Sequence, residues 1–429
     1  MANKSSHPEN ELNQLIPPFE QRGMNLGIER MQLALKAMGE PCAKIPAIQI
    51  VGTNGKGSIA SFIQSSLKCA GIKAGVTTSP HLMSWRERIR IDGNLISSQE
   101  LRQRIFSLQS LAKDFQLTPF ELVMATAFDH FAEHDVEILV LEVGLGGRLD
   151  ATTAHPLRPV IAMASIGLDH CEHLGDNLKD IAKEKSAVIS SGCKVISSTQ
   201  HKDVSQVIEE TTNERHAELE WVSSVPHEWN LGINGEIQKK NAAVARGALQ
   251  SLEKLGWKIN DQIIREGLAL ANCPGRLQKI NWNGFPLLLD GAHNPHAAEQ
   301  LSIERCHWGQ QKTGLHWILG IQSHKAAPSI LRNLLKPSDT AWIVPVPNHK
   351  SWEKFQLSIA CPELANQIVQ ANDVEEALQK LLLRSKWPTP PPVIAGSLYL
   401  IGDLILKYVD IERREANQVE DIFKSDPTL

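Results

Sequence analysis

Short apolar runs rich in β-branched residues recur along the chain, and several lead into stretches where apolar positions return every three or four residues. Residues 45–51 precede such a stretch at 59–70, residues 160–166 precede another at 178–189, and the runs 137–143 and 194–198 belong to the same series. Runs of this kind spaced by amphipathic helices predict a parallel sheet covered on both faces. A second series opens at 285–289 and continues at 316–321, 341–346 and 392–395. Between the two lie a helical pattern over 241–255 and then Asn272, Cys273, Pro274, Gly275 and Arg276, whose Pro-Gly step reads as a linker. The predicted organisation is α/β throughout, with an N-terminal parallel-sheet domain over 1–280 and a smaller C-terminal one over 281–429. A chain of 429 residues is long enough to bury both cores.

The first strand of the first series runs into Gly52, Thr53, Asn54, Gly55, Lys56, Gly57 and Ser58, and a helical pattern follows at once. Strand, glycine-rich turn, then helix is the setting a P-loop needs. Glycines let backbone N–H groups close around phosphate oxygens at a helix N-terminus, Lys56 reaches the β- and γ-phosphates, and the Ser58 hydroxyl ligates Mg²⁺. The strict GxxxxGK[ST] spacing is broken, because Gly57 separates Lys56 from Ser58. The first domain is thus read as a P-loop ATPase sheet, and the second as a Rossmann-like unit.

Two further strand ends carry candidate metal ligands. Glu142 closes the run 137–143 ahead of Gly144-Leu145-Gly146-Gly147, where ligands bind in open α/β sheets, and a hard carboxylate suits Mg²⁺. The run 160–166 leads into Asp169-His170, with His173 three residues on; His170 is the better placed of the two, although imidazole is an unusual Mg²⁺ partner. In the helix that follows, residue physics alone makes Lys183 and Lys185 surface charges.

Composition narrows the partners. A net charge of -4 offers no broad basic field for a nucleic-acid backbone. No apolar window approaches the length of a membrane span, and the first residues lack a signal-peptide pattern. Seven cysteines stand singly, with no CxxC pair, which argues for reduced thiols in a cytosol-like compartment and against zinc. The expectation is a cytoplasmic monomer that binds small molecules.

Ten motifs occur in one order: GTNGKGS (52–58), TSPHL (78–82), RERIRIDG (86–93), LEVGLGGRLDAT (141–152), LDHCEHLG (168–175), IAKEKSAVI (181–189), NAAVA (241–245), PGRLQ (274–278), LDGAHNPHA (289–297) and GSLYLIGDL (396–404). In this the chain resembles the dihydrofolate synthases and folylpolyglutamate synthases, the folate-ligase branch of the Mur ligase superfamily. The resemblance implies an ATP- and Mg²⁺-dependent ligase that phosphorylates a pterin-linked carboxylate and joins the acyl phosphate to L-glutamate. It implies that Gly52 to Ser58 (GTNGKGS), Asn241, Arg276 and Asp290 hold the nucleotide, and that Ser58, Ser79, Glu142 and His170 hold the metal. It places Lys185 at the position of a carbamylated lysine and His293 near the glutamate or acyl phosphate, with Lys56, Lys185 and His293 as the catalytic set.

For the acceptor, the resemblance points to Ile28, Glu29, Arg30 and Met31 in a loop beginning at Asn25 and Leu26, to Thr118, Pro119, Phe120 and Glu121, and to Leu149, Asp150 and Ala151. That loop resembles the one covering dihydropteroate in bifunctional members; the plainer reading is an N-terminal helix packed on the sheet. Several positions depart from the family pattern. Ser186 and Ala187 follow Lys185 where the family reads Ala-Gly, Ser323-His324-Lys325-Ala326 lacks the usual acids, and 347–351 lacks an arginine. Three other enzyme or binding classes share part of this pattern. A cell-wall Mur ligase would need a further domain before a loop that here begins at residue 52; a P-loop kinase or GTPase would lack the second α/β domain with DGAHNP; a nucleotide sensor would not need Lys56, Ser58, Glu142 and His170 together.

Overall fold

In the computed structural model the described residues are 12, 15, 16, 27–308, 314–384 and 386–409. They divide into two compact units, Met1–Cys273 and Pro274–Leu429. The division falls slightly before the expected 280. The Pro274-Gly275 step is built into the second unit, where the Gly275 carbonyl accepts from Gly291 N–H at 2.7 Å and Gly275 N–H donates to Gln278 Oε1 at 2.8 Å.

The first unit is an eight-stranded sheet made from β1 (Ala47–Val51), β2 (Ala74–Thr77), β3 (Ile89–Ile91), β4 (Asn94–Leu95), β5 (Ile138–Glu142), β6 (Val160–Met163), β7 (Lys194–Ser198) and β8 (Glu218–Val222). Its spatial order is β4-β3-β2-β5-β1-β6-β7-β8. The five strands from β2 to β7, and β8 beside them, run parallel; β3 and β4 form an antiparallel edge. All five β1 residues are buried, because helices cover both faces. Ile48 and Ile50 point into one core with the helices Lys56–Cys69, Glu236–Lys254 and Asp261–Leu270. Ala47 joins a second core, under Pro119–Glu133, and Val51 a third, under Leu178–Ser186 and Lys202–Glu214. This is the period-two alternation of a strand sandwiched between two apolar layers.

Gln49 is the polar exception in β1. Its amide donates to Thr152 Oγ1 at 2.9 Å and Thr153 Oγ1 at 2.8 Å, so it pins residues 151–154 against the sheet. A wholly buried amide is tolerated because it is hydrogen-bonded.

The second unit has β9 (Gln278–Trp282), β10 (Phe285–Leu289), β11 (His316–Leu319), β12 (Thr340–Ile343), β13 (Ile368–Gln370) and β14 (Val393–Ala395), in the order β13-β12-β11-β14-β10-β9. Only β9 runs antiparallel among the pairings of this sheet. Its core gathers Leu319, Ile330, Leu331, Ile343, Leu357 and Val393.

Candidate functional site

The strand order decides which loops meet. β2, β5, β1 and β6 are parallel neighbours, so the residues following their C-terminal ends collect on one edge of the sheet. Those followers are Ser79, Glu142 with the 143–150 loop, the 52–58 loop, and Asp169-His170.

The 52–58 loop turns because Gly52 and Gly55 take φ of 147° and 97°, backbone that side chains rarely adopt. Crowding requires the same residues. A Cβ on Gly52 would lie 2.7 Å from Ala164 Cβ, and one on Gly55 would lie 2.5 Å from Asn241 Oδ1. The second contact places buried Asn241, on the helix Glu236–Lys254, directly against the loop. Thr53 and Asn54 direct their backbone N–H groups to the Ser165 carbonyl at 2.8 and 3.2 Å, and Thr53 Oγ1 bonds Gly167. Their backbone donors therefore anchor the loop to the segment that follows β6, and the N–H groups at the loop's helical end, Lys56, Gly57 and Ser58, are the ones without intrahelical acceptors. Lys56 Nζ lies 3.3 Å from the Thr53 carbonyl, folded back over the turn.

Ser58 Oγ is buried and finds no hydrogen-bond partner among the described residues. An orphaned hydroxyl in the first turn of the helix fits a metal ligand better than a packing residue. Glu142 Oε2 accepts from Ser79 N–H at 3.1 Å and would stand 3.8 Å from a Cβ on Gly57, so Glu142, Ser79 and the helix start share one place. This donor set, carboxylate and hydroxyl oxygens beside a phosphate cradle, fits Mg²⁺ with ATP. His170 occupies a left-handed turn (φ 51°) and lies 3.9 Å from Asp169 and 3.8 Å from Glu172. What relates it to Glu142 is the strand order.

Lys185 corrects the surface-charge expectation. It is buried, and its Nζ donates to the Gly52 carbonyl at 3.0 Å. Burial, then the nearby Lys56 charge, pushes its pKa down to about 7. Lys183 remains exposed. The helix pattern could not distinguish the two, because what buries Lys185 is a loop distant in sequence.

The three acceptor segments meet. Arg30 Nε reaches both Glu121 oxygens, at 2.9 and 2.7 Å. The Phe120 ring packs on Gly144 so closely that a Cβ there would be 2.7 Å from Cζ. Asp150 accepts from Gly144 N–H (2.9 Å), Leu145 N–H (3.1 Å), Thr152 N–H (3.0 Å) and Thr152 Oγ1 (2.6 Å). Three expectations change with this geometry. Asn25 and Leu26 lie outside the described residues, while Glu29, Arg30 and Met31 open a helix, Glu29–Ala37, with Ile28 at its N-cap. Met31 is wholly buried in the core beneath, so it packs the sheet and presents no ring contact. Asp150 is buried with its carboxyl engaged by its own loop, which makes it the loop's organiser; burial raises its pKa against the pull of those donors. Thr118 and Glu121 form a capping box for Pro119–Glu133, with Pro119 and Ala151 buried, and Phe120 and Leu149 half-buried.

In the second unit, Asp290 directly follows β10 and accepts from Leu277 N–H at 3.0 Å and Ala292 N–H at 2.9 Å. Burial raises its pKa, opposed by Arg276. Arg276 Nη1 would stand 3.0 Å from a Cβ on Gly291, and His293 Nδ1 bonds the Gly291 carbonyl at 2.7 Å. The carbonyl can only accept, so Nδ1 carries the proton there. Arg276, Asp290 and His293 are thus brought into one loop cluster of this unit.

Residues 275–408 match the family model described as dihydrofolate synthetase, C-terminal domain. The chain is 31% identical over 418 residues to dihydrofolate synthetase of Saccharomyces cerevisiae, spanning 89% of this chain and 97% of the relative. It is 30% identical over 406 residues to folylpolyglutamate synthase of Lacticaseibacillus casei, spanning 86% and 92%. The crystal structure of the bifunctional folylpolyglutamate synthase/dihydrofolate synthase of Yersinia pestis, complexed with AMPPNP and Mn ion, is similar with a TM-score of 0.80 and 27% identity, over 95% of this chain and 99% of that one.

Proposed function

The chain belongs to the dihydrofolate synthase/folylpolyglutamate synthase family and is an ATP-dependent ligase that adds glutamate to a folate-type carboxylate, and we propose that dihydropteroate is one of its acceptors alongside reduced folate. ATP and a divalent metal are its cofactors. We assign phosphate binding to the loop of Gly55, Lys56, Gly57 and Ser58, and metal binding to Ser58, Ser79, Glu142 and His170. Bound Mg²⁺ supplies charge neutralisation at the phosphoryl group. Lys56 adds a fixed cation there, worth several kcal/mol on the scale of single electrostatic groups, roughly 3–4. Asn241, Arg276 and Asp290 are assigned to the nucleotide, and His293 to the glutamate or acyl phosphate. Lys185, with a pKa of about 7, is partly a neutral amine at physiological pH, the form that adds carbon dioxide to give the carbamate the family resemblance implies.

The observation carrying the acceptor reading is the Arg30–Glu121 pair. It ties the start of the helix Glu29–Ala37 to the Thr118–Glu121 segment, beside the loop that Asp150 shapes. Dihydropteroate lacks the glutamate that a folate already carries, so one phosphoryl centre serves both only if the pterin binds at two distances from it. A segment dedicated to the shorter acceptor satisfies that requirement. The family model and the yeast relative, both dihydrofolate synthetases by description, support the same choice. Arg30→Met should lower dihydropteroate-dependent phosphate release more than tetrahydrofolate-dependent release. Equal loss of both makes the pair structural, and no dihydropteroate turnover by the intact protein removes that acceptor.

The expected cytoplasmic location and monomeric state belong to this proposal. No helix of the described residues is long and apolar enough to cross a membrane.

A further inference from the structure

A second cluster of ionisable groups lies where the helix Ser98–Ser107 begins and the helix Pro119–Glu133 ends. Glu100 comes from the first; Asp129, His130 and Glu133 come from the second, and His134 caps it. His130 Nδ1 stands 3.0 Å from Glu100 Oε1, and His134 Nε2 stands 3.7 Å from the same oxygen. One ligand atom from each of these three residues falls within 4.8 Å of the other two. Zinc bonds of about 2.0–2.1 Å in a tetrahedron put ligand atoms about 3.3 Å apart, between the two distances observed.

We propose that Glu100, His130 and His134 form a binding site for Zn²⁺, separate from the phosphate-loop metal site, that staples the two helices together. The hydrogen bonding sets which ring nitrogen of His134 is available to the site. His134 Nδ1 lies 2.8 Å from the His130 carbonyl, which can only accept, so Nδ1 carries a proton and Nε2 is the ring nitrogen that faces the carboxylate oxygen. That oxygen also accepts from Arg104 Nη2 at 3.0 Å and Nε at 3.3 Å, contacts that a bound ion would replace in part. The charge balance agrees. Arg104 pairs with Glu100, Asp129 and Glu133 at 3.0, 2.7 and 2.6 Å, and three carboxylates against one guanidinium leave two negative charges when both imidazoles are neutral. Two imidazoles and one carboxylate select a borderline transition metal over Mg²⁺. His130 is buried, while Glu100 and His134 are partly exposed, which gives an ion a route in. The scattered cysteines that argue against zinc have no part in this set. Thr118, in the acceptor segment, begins the same helix about 20 Å away at 1.5 Å per residue.

The test is Zn²⁺ binding by the full chain after chelator treatment, measured by equilibrium dialysis and thermal melting with excess Mg²⁺ present to occupy the hard-cation site. The wild type should take up one more zinc equivalent than His134→Gln, or bind it at least about tenfold more tightly. Zinc should raise the melting temperature of the wild type and not that of the variant. Should His134→Gln fail to fold, Co²⁺ bound to the wild type supplies the readout, with visible bands of tetrahedral nitrogen–oxygen coordination expected. Equal zinc uptake and equal melting response in the two proteins, no uptake by the wild type, or absence of those bands would each overturn the site and leave a salt-bridge network centred on Arg104.

Discussion

Ser58→Ala should move stability and activity in opposite directions. Ser58 is 1% exposed, and its hydroxyl has no hydrogen-bond partner among the described residues. A buried polar group left unsatisfied costs about 1–3 kcal/mol. Alanine removes that cost, and it is the better helix former by about 0.5 kcal/mol. The nucleotide-free protein should therefore gain about 1.5–3.5 kcal/mol, a rise of about 2–4 °C per kcal/mol in the first unit's melting transition. In the presence of Mg²⁺ and ATP the sign reverses. The variant lacks one metal ligand, so the stabilisation that Mg·ATP confers should shrink, and kcat should fall by about 100-fold or more, the scale of other single-group electrostatic losses. Scanning calorimetry with and without Mg·ATP, paired with phosphate release, reads both effects. A variant destabilised by about 1 kcal/mol without nucleotide would refute the orphan-hydroxyl argument. Unchanged turnover and Mg²⁺ dependence would refute the metal assignment.

Other substitutions test the remaining parts. Gly55→Ala forces a side chain into left-handed backbone and toward Asn241 Oδ1, so denaturant unfolding should show a loss of about 1–3 kcal/mol together with a raised KM for ATP. Asp150→Ala strands the N–H groups of Gly144, Leu145 and Thr152; a loss above about 2 kcal/mol is expected, with Asp150→Asn recovering part of it. For Lys185 the folded pKa of about 7 lies below the unfolded 10.5, so the unfolded chain holds this proton over the interval where the folded chain has released it. Wild-type stability relative to Lys185→Met should then rise with pH between these two values and level off above them, in carbon-dioxide-free buffer; a difference that stays flat with pH contradicts the burial argument.

Much of the fold is legible in local pattern. β7 and β10 run over 194–198 and 285–289 as expected, since short apolar runs bounded by turn residues leave little choice of length. β2, β3 and β4 escape the pattern because they are short and carry glycine and charge, and β8 because it is mostly exposed. The helix Glu236–Lys254 begins ahead of the expected 241, its first turn being polar. In the site, the glycine loop and Glu142 declare themselves because phosphate and metal chemistry constrain their residue types and spacing. The burial of Lys185 and the Glu100–His130–His134 cluster do not, since each depends on residues far apart in sequence. Asp150 illustrates the converse: its motif marks it, but only the four donors around its carboxylate distinguish a loop organiser from a ligand.

The most direct test of the central claim is phosphate release from ATP by the purified chain, with glutamate and an acceptor added or withheld in turn. Release that requires Mg²⁺, L-glutamate and either dihydropteroate or tetrahydrofolate together, and that Lys56→Ala abolishes, is the predicted result. Release that ignores glutamate, or that persists undiminished in Lys56→Ala, would contradict it.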